Sequence, residues 1–331
     1  MRIAIVGFGF MGMTHAMNIL KNSQLELVGI VDRDSSSVIK KLKEDVGNFS
    51  TGELKEEDIA DISVYTSLEE CIADKKPEAV VVAVHTASHY PIAKLALNSG
   101  AHVFVEKPFV LNVEEGEELI ELASQNNKIL MVGHVVRFMP AYLKLKEWID
   151  NKEYGKLEFL SMSRFSGLPA WGQWKERQAD FGSSGGALFD LVIHDIDFAQ
   201  WVCGSPDKVD TQILAGNLSN YDYVSALWSY QDSDLKVKID GGNTFHSSFP
   251  FRASFSVRFE NASVYFSSNN PEYIVVTTDS ETKNAPLDDS NDGYANEMDY
   301  FIDSAINNRH PQKCTPESAL ASIRLCHRHI K

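Results

Sequence analysis

Residues 184–197, SGGALFDLVIHDID, read as a helix that is apolar almost all the way round yet carries Asp190, His194, Asp195 and Asp197. Burying ionisable groups costs free energy unless they are paired or titrate to neutral. Residues one helical turn apart are neighbours, so Asp190 and His194 share a face. Asp197 shares that face with His194, whereas Asp195 points elsewhere and is expected to be solvated or ion-paired. An imidazole titrates near neutrality, which suits His194 to moving a proton as general acid and base. Asp190 can orient the ring or bind a substrate hydroxyl. Gly185 and Gly186 would let backbone approach substrate or cofactor, while Leu191 and Ile193 anchor the helix to a sheet.

Two other places carry chemistry. Gly7, Phe8, Gly9, Phe10, Met11 and Gly12 spell G-x-G-x-x-G after a strand-like run and before a helix-like one. Asp32 follows at about the 20-residue interval of the dinucleotide fingerprint. The first glycine permits the tight turn, the second lets backbone approach a pyrophosphate, and the third lets helix and strand pack closely. The helix N-terminus then offers N–H groups and partial positive charge to the phosphates. Asp32 suits the adenosine ribose hydroxyls and so favours NAD. Arg33 either stacks on adenine or meets a 2′-phosphate, which keeps NADP open. Later, HVFVEKPF ends a strand with Glu106-Lys107-Pro108. Ligands of open α/β sheets sit beyond the carboxyl ends of the strands. Pro108 biases Lys107 toward extended geometry there. From that place Lys107 can hold a substrate oxygen and stabilise a developing alkoxide; a surface Glu-Lys pair is the plainer alternative.

The elements that must position these groups follow from hydrophobic pattern. Runs at 3–7, 25–32, 79–85, 102–106 and 129–134 are short and nearly continuously apolar, as strands buried on both faces of a parallel sheet are. Helical patterns at 12–21, 35–46, 67–73, 89–98 and 112–126 alternate with them, which means βαβ units and a doubly wound sheet. The polar, acidic stretch 47–61 reads as a surface excursion. Beyond about residue 135, alternating or aromatic-rich runs at 157–166, 208–215, 223–231, 235–240, 253–259, 262–267 and 273–278 predict a mostly antiparallel sheet, with turns at Gly241-Gly242 and Glu260-Asn261. One long helix, 184–202, precedes most of it. Two helices, about 294–307 and 316–330, close the chain, the second capped by Thr315 with Pro316 at its first position. The expected domains are 1–128 for dinucleotide binding, 129–290 as a second α/β domain, and 291–331 as helices packing back toward the first.

The 331 residues carry a formal net charge of −15, which argues against nucleic acid or an anionic membrane as partner. The four cysteines form no CxxC pair and no metal-ligand spacing, so they read as free thiols of a reducing compartment, and no metal site is expected. No apolar run approaches a bilayer span and the opening RIAIVGFG lacks a signal-peptide layout, so a cytoplasmic location is expected.

Taken together, GFGFMGMTH, VDRD, EKP and GGALFDLVIHDIDFAQW, in that order, resemble the glucose–fructose oxidoreductase / inositol dehydrogenase / MocA family over essentially the whole chain. The resemblance implies a Rossmann domain followed by an α/β domain with a large, open, mostly antiparallel sheet, and gives residues 129–290 the binding of substrate and the contacts between copies. It also implies nicotinamide-dependent hydride transfer at a secondary alcohol of a sugar, inositol or related polyol. Carried over, Lys107 matches the catalytic-site lysine, and Asp190 and His194 match the aspartate and the acid/base histidine. Thr86 and His89 match a T-x-x-H stretch beside the cofactor, which Glu106 and Lys107 also border. His85 and Ala87 depart from the usual form of that stretch. Arg137, in GHVVRFMPAY, matches a motif near nicotinamide and substrate; its plain alternative is an ion pair. Trp171 and Trp174 sit where the family varies its substrate loop, and Trp174 is a candidate substrate contact. Homodimers or homotetramers through the second sheet are implied. Alternatives on the same fold are an NAD-assisted glycoside hydrolase and a non-catalytic cofactor-sensing regulator, though a regulator has no need to keep Lys107, Asp190 and His194 together.

Overall fold

The computed structural model describes residues 1–42, 54–169, 183–288 and 292–331. The chain divides into two compact units; the first contains residues 1–134 and 294–320, and the second contains 135–169, 183–293 and 321–331 among those described.

In the first unit, the β-branched runs form β1 (Arg2–Val6), β2 (Glu26–Val31), β3 (Ser63–Tyr65), β4 (Ala79–Val82), β5 (His102–Glu106) and β6 (Leu130–Gly133). They pair in parallel, in the order β3-β2-β1-β4-β5-β6. The order reverses direction between β1 and β4, the switch point beyond which such sheets bind ligands. Ile3, Ile5, Val80, Val81, Val103 and Phe104 are fully buried, which explains their unbroken hydrophobicity. The helices are α1 (Phe10–Lys21), α2 (Val38–Leu42), α3 (Glu56–Ile59), α4 (Leu68–Lys75), α5 (His89–Asn98) and α6 (Val113–Gln125). The helix expected over 35–46 begins as a 3₁₀ turn, Ser35–Ser37, and continues as α2; its remainder and residues 47–53 of the excursion fall outside the described residues, and α3 lies within the rest of that excursion. A boundary at residue 128 would detach β6, which instead completes this sheet, so the first stretch of this unit runs to His134.

The second unit opens with α7 (Pro140–Asn151) and β7 (Leu157–Gly167). A π-helical turn over Leu188–Val192 leads into α8 (Ile193–Cys203). Then come β8 (Lys208–Leu214), β9 (Tyr223–Tyr230), β10 (Ser233–Phe245), β11 (Arg252–Phe259), β12 (Ser263–Ser267), β13 (Tyr273–Thr277) and β14 (Thr282–Pro286). The sheet order is β14-β13-β12-β11-β7-β10-β9-β8, antiparallel except where β7 meets β10. The expected turn at Gly241-Gly242 is absent, because both glycines continue β10. A Cβ on Gly241 would lie 2.5 Å from the Arg164 carbonyl oxygen, and one on Gly242 would lie 2.1 Å from that of Asp222. These glycines mark close backbone approach within a strand.

Helices α9 (Gly293–Ile306) and α10 (Pro316–His329) close the chain, with the Thr315 hydroxyl accepting the Ser318 N–H as expected of a cap. Among the described residues no helix is long and apolar enough to cross a membrane. All four cysteines are free thiols; burial lifts the Cys71 thiol to about 11 and the Cys203 thiol to about 12, away from the reactive range.

Candidate active site

The glycine turn leaves β1 at Gly7, whose φ of +92° favours glycine and whose N–H donates to the Val31 carbonyl. A Cβ there would lie 2.4 Å from the Ala83 carbonyl oxygen, and one on Gly12 would lie 2.0 Å from that of Gly7. These two glycines therefore serve the packing of turn, helix and strand. Gly9 differs, since no atom lies within 4 Å of where its Cβ would be. Its missing side chain keeps space open at the N-terminus of α1, where no side chain caps the helix and no acidic residue occupies the first turn. A helix start, with its partial positive charge and no acidic side chain in its first turn, suits an anion. The residues present thus fit a dinucleotide pyrophosphate. Phe8 is fully buried and lends the turn its backbone alone, while Phe10 and Met11 are half-buried.

Just beyond β2, Asp32 accepts hydrogen bonds from the Phe8 N–H (3.0 Å) and the Lys41 ammonium (2.7 Å) on Oδ2, and from the Asp34 N–H (3.1 Å) on Oδ1. A carboxylate has lone pairs left for ribose hydroxyls after these bonds. Arg33 is exposed beside it. Sequence reasoning passed over Lys41; its place on α2, one short helix after Asp32, is the signal that was available.

Lys107 is half-buried at the end of β5, in a loop held from two sides. Buried Glu106 places Oε1 2.6 Å from His15 Nε2 and accepts the Lys107 backbone N–H on Oε2 at 3.1 Å. His89, 1% exposed, places Nδ1 2.9 Å from the Pro108 carbonyl oxygen and Nε2 3.1 Å from that of Val84. Burial holds this imidazole below the usual histidine range. The ring thus ties the loop after β4 to the loop after β5. Thr86 stands half-buried in the turn just before it. Glu297 of α9 brings a third ionisable group to His15 and Glu106; their ligand atoms all lie within 4.8 Å of one another. The His15–Glu106 spacing is that of a hydrogen bond, closer than two ligands each about 2.0–2.1 Å from a tetrahedral zinc would stand.

In the second unit the four ionisable residues of the helix separate cleanly. Asp195 is fully buried and accepts Arg164 Nη2 at 2.8 Å and Nε at 3.2 Å on Oδ1, with Tyr142 also bonded to that guanidinium. Asp197 is fully buried in a two-point pair with Arg137, Nε to Oδ2 at 2.7 Å and Nη2 to Oδ1 at 2.6 Å, and accepts the Ser322 hydroxyl at 2.8 Å. The 1% exposure of Arg137 favours the ion-pair alternative over direct substrate contact. From Gly186 to Ala199, Asp190 and His194 alone are partly exposed. The π-helical turn carries Asp190, and such insertions in α-helices are frequent at functional sites. Gly185 and Gly186 have φ of +92° and +65°. A Cβ on Gly186 would lie 2.2 Å from the Ser219 hydroxyl oxygen, and one on Gly185 2.6 Å from Phe189 Cβ. What comes close to these glycines is the protein's own loop and ring, not open space awaiting a ligand. Asp222 braces that loop by accepting the Leu218 N–H and the Ser219 hydroxyl. Trp171 and Trp174 lie outside the described residues.

Comparison with known proteins agrees with this geometry. Residues 1–134 match the GFO_IDH_MocA oxidoreductase family model with its NAD-binding Rossmann fold, and residues 142–265 match the GFO/IDH/MocA C-terminal domain. An uncharacterized oxidoreductase of Synechocystis is 31% identical over 66% of this chain and 54% of its own length, so the chain spans about half of that curated relative. Myo-inositol 2-dehydrogenase of Thermotoga maritima is 27% identical over 98% of this chain and 93% of its own. The structure of GenD2 from gentamicin A biosynthesis, in complex with NAD, covers 100% of this chain and 93% of its own at a TM-score of 0.80 and 22% identity, which shows the shared fold.

Proposed function

Because the chain belongs to the GFO/IDH/MocA family of NAD-binding oxidoreductases, we propose that it is a dehydrogenase acting on a secondary alcohol or ketone of a sugar, inositol or related polyol. The observation that carries this reading is the partial exposure of Asp190 and His194 in a helix whose other charges are buried in ion pairs. Relatives named as inositol and glucoside dehydrogenases support the substrate class.

When bound, the nicotinamide supplies the hydride acceptor, or donor in the reverse direction. Gly9 and the start of α1 would hold the pyrophosphate, and Asp32 the adenosine ribose. His194 takes the hydroxyl proton at its imidazole during oxidation and returns it during reduction. Asp190 orients that ring or binds the neighbouring hydroxyl. Lys107 donates to the reacting oxygen and offsets the negative charge that grows there. Glu106 and His89 keep the lysine's loop in place.

We further propose that copies of the chain associate through the eight-stranded sheet. Leu227 on β9 and Tyr265 on β12 are exposed at 41% and 48%, and Leu214 at the end of β8 at 60%. Light scattering coupled to size exclusion tests this: a monomer at micromolar concentration refutes it.

The test of the activity is a screen of aldoses, inositols and sugar acids with NAD and NADP, read by absorbance of the reduced cofactor. Stoichiometric release of reduced cofactor with oxidised product is expected. Glycoside cleavage without net reduction would favour the hydrolase alternative. Cofactor binding with no turnover on any of these alcohols would favour the regulator.

A further inference from the structure

We propose that Lys41 sets cofactor choice at the adenosine end of the cradle, and that the chain accepts a 2′-phosphorylated dinucleotide as well as NAD. The inference rests on the reading of the glycine turn and Asp32 as a dinucleotide site. An aspartate at the end of β2 by itself repels a 2′-phosphate. Here that carboxylate is not by itself. Lys41 Nζ lies 2.7 Å from Asp32 Oδ2, with side-chain exposures of 16% and 12%, so the two charges are paired in a place that water screens only partly. The pair offers no net charge where the ribose 2′ position would fall. An ammonium has three N–H donors, so Lys41 can keep Asp32 and still donate to a phosphate oxygen. Exposed Arg33 adds a second cation beside it. The neighbouring acid, Asp34, is exposed and keeps its charge, since the Ser36 hydroxyl donates to it at 2.6 Å and holds its carboxyl below the usual range; Lys41 and Arg33 are the cations set against it. Asp32 retains acceptor capacity for unmodified ribose hydroxyls, so gaining the phosphorylated cofactor does not require losing NAD.

Fragments that lack the nicotinamide isolate this end of the site. Calorimetric titration of the full chain with adenosine 5′-monophosphate and with adenosine 2′,5′-bisphosphate gives an affinity ratio independent of turnover. The wild type is expected to bind the bisphosphate at least as tightly as the monophosphate. Lys41→Met should lower the bisphosphate-to-monophosphate ratio by about tenfold or more, the worth of one charge-assisted hydrogen bond plus an exposed carboxylate. Lys41→Arg keeps the cation and should keep most of the ratio, and its retention excludes misfolding as the cause. Raising salt should weaken the bisphosphate more than the monophosphate. A wild type that binds the monophosphate and excludes the bisphosphate overturns the inference, as does an unchanged ratio in Lys41→Met. Binding of neither fragment overturns the cradle reading itself and the inference with it.

Discussion

Two aspartates in one helix became structural and one aspartate and one histidine stayed accessible, and the difference lies in what each faces. Asp195 and Asp197 each meet an arginine whose charge replaces the water they lose. Removing one partner of such a pair strands the other, which costs about 3–5 kcal/mol. Arg137→Met is therefore expected to lower the denaturant midpoint strongly while leaving the Michaelis constant of the surviving folded enzyme nearly unchanged. A Michaelis constant that rises with no loss of stability would restore Arg137 to substrate binding. His194→Ala and Lys107→Ala should do the reverse, keeping the fold and the affinity for NADH while kcat falls by about 10²–10⁴-fold. Near wild-type turnover in both variants would dismantle the proposed acid/base assignment.

Single elements place those residues, and their glycines allow a sharper test than their hydrophobic patterns do. Gly9 faces open space at a φ that any residue adopts, so Gly9→Ala should melt as the wild type does and bind NADH more weakly. Gly12→Ala drives a methyl into the Gly7 carbonyl, so it should lose stability before cofactor affinity can be compared. Equal melting temperatures for the two variants would refute this division of labour. The cradle was readable from sequence because turn, strand, helix and Asp32 lie within one βαβ unit, where spacing along the chain translates directly into position. The parallel sheet was readable because strands covered on both faces must be apolar throughout. The brace behind Lys107 was not readable. His15 comes from α1, Glu106 from β5 and Glu297 from α9, and no local pattern signals a meeting between groups so far apart in sequence. The Lys41–Asp32 pair was hidden for a different reason: a lysine on a short polar helix looks like any solvated one until the helix is placed. Gly241 and Gly242 misled because paired glycines favour turns unless a neighbouring backbone presses against them.

At the scale of the whole molecule, each unit holds a histidine, buried in one and half-buried in the other, whose neutral form its hydrogen bonds require. In the second unit, His329 is 1% exposed; its Nε2 accepts the Trp228 indole N–H at 3.0 Å and its Nδ1 faces the Leu325 carbonyl oxygen at 2.7 Å. Burial pulls its pKa down to about 4 from an ordinary value of 6.5, with the neighbouring Arg328 adding to the shift. In the first unit, His102 accepts the Ile129 N–H on Nδ1, and burial with Lys128 nearby again gives about 4. Between pH 6.5 and about 4 the unfolded chain binds protons at these rings that the folded chain refuses. Stability therefore falls as the pH drops through that window and is fully present above it. A shift of this size at the enclosed His329 corresponds to roughly 3 kcal/mol when complete, with less from partly exposed His102. The melting temperature should accordingly decline between about pH 7 and pH 5. His329→Gln, which can accept from Trp228 without taking a proton, should decline less over the same interval. Parallel declines in wild type and variant would show that the acid sensitivity originates elsewhere.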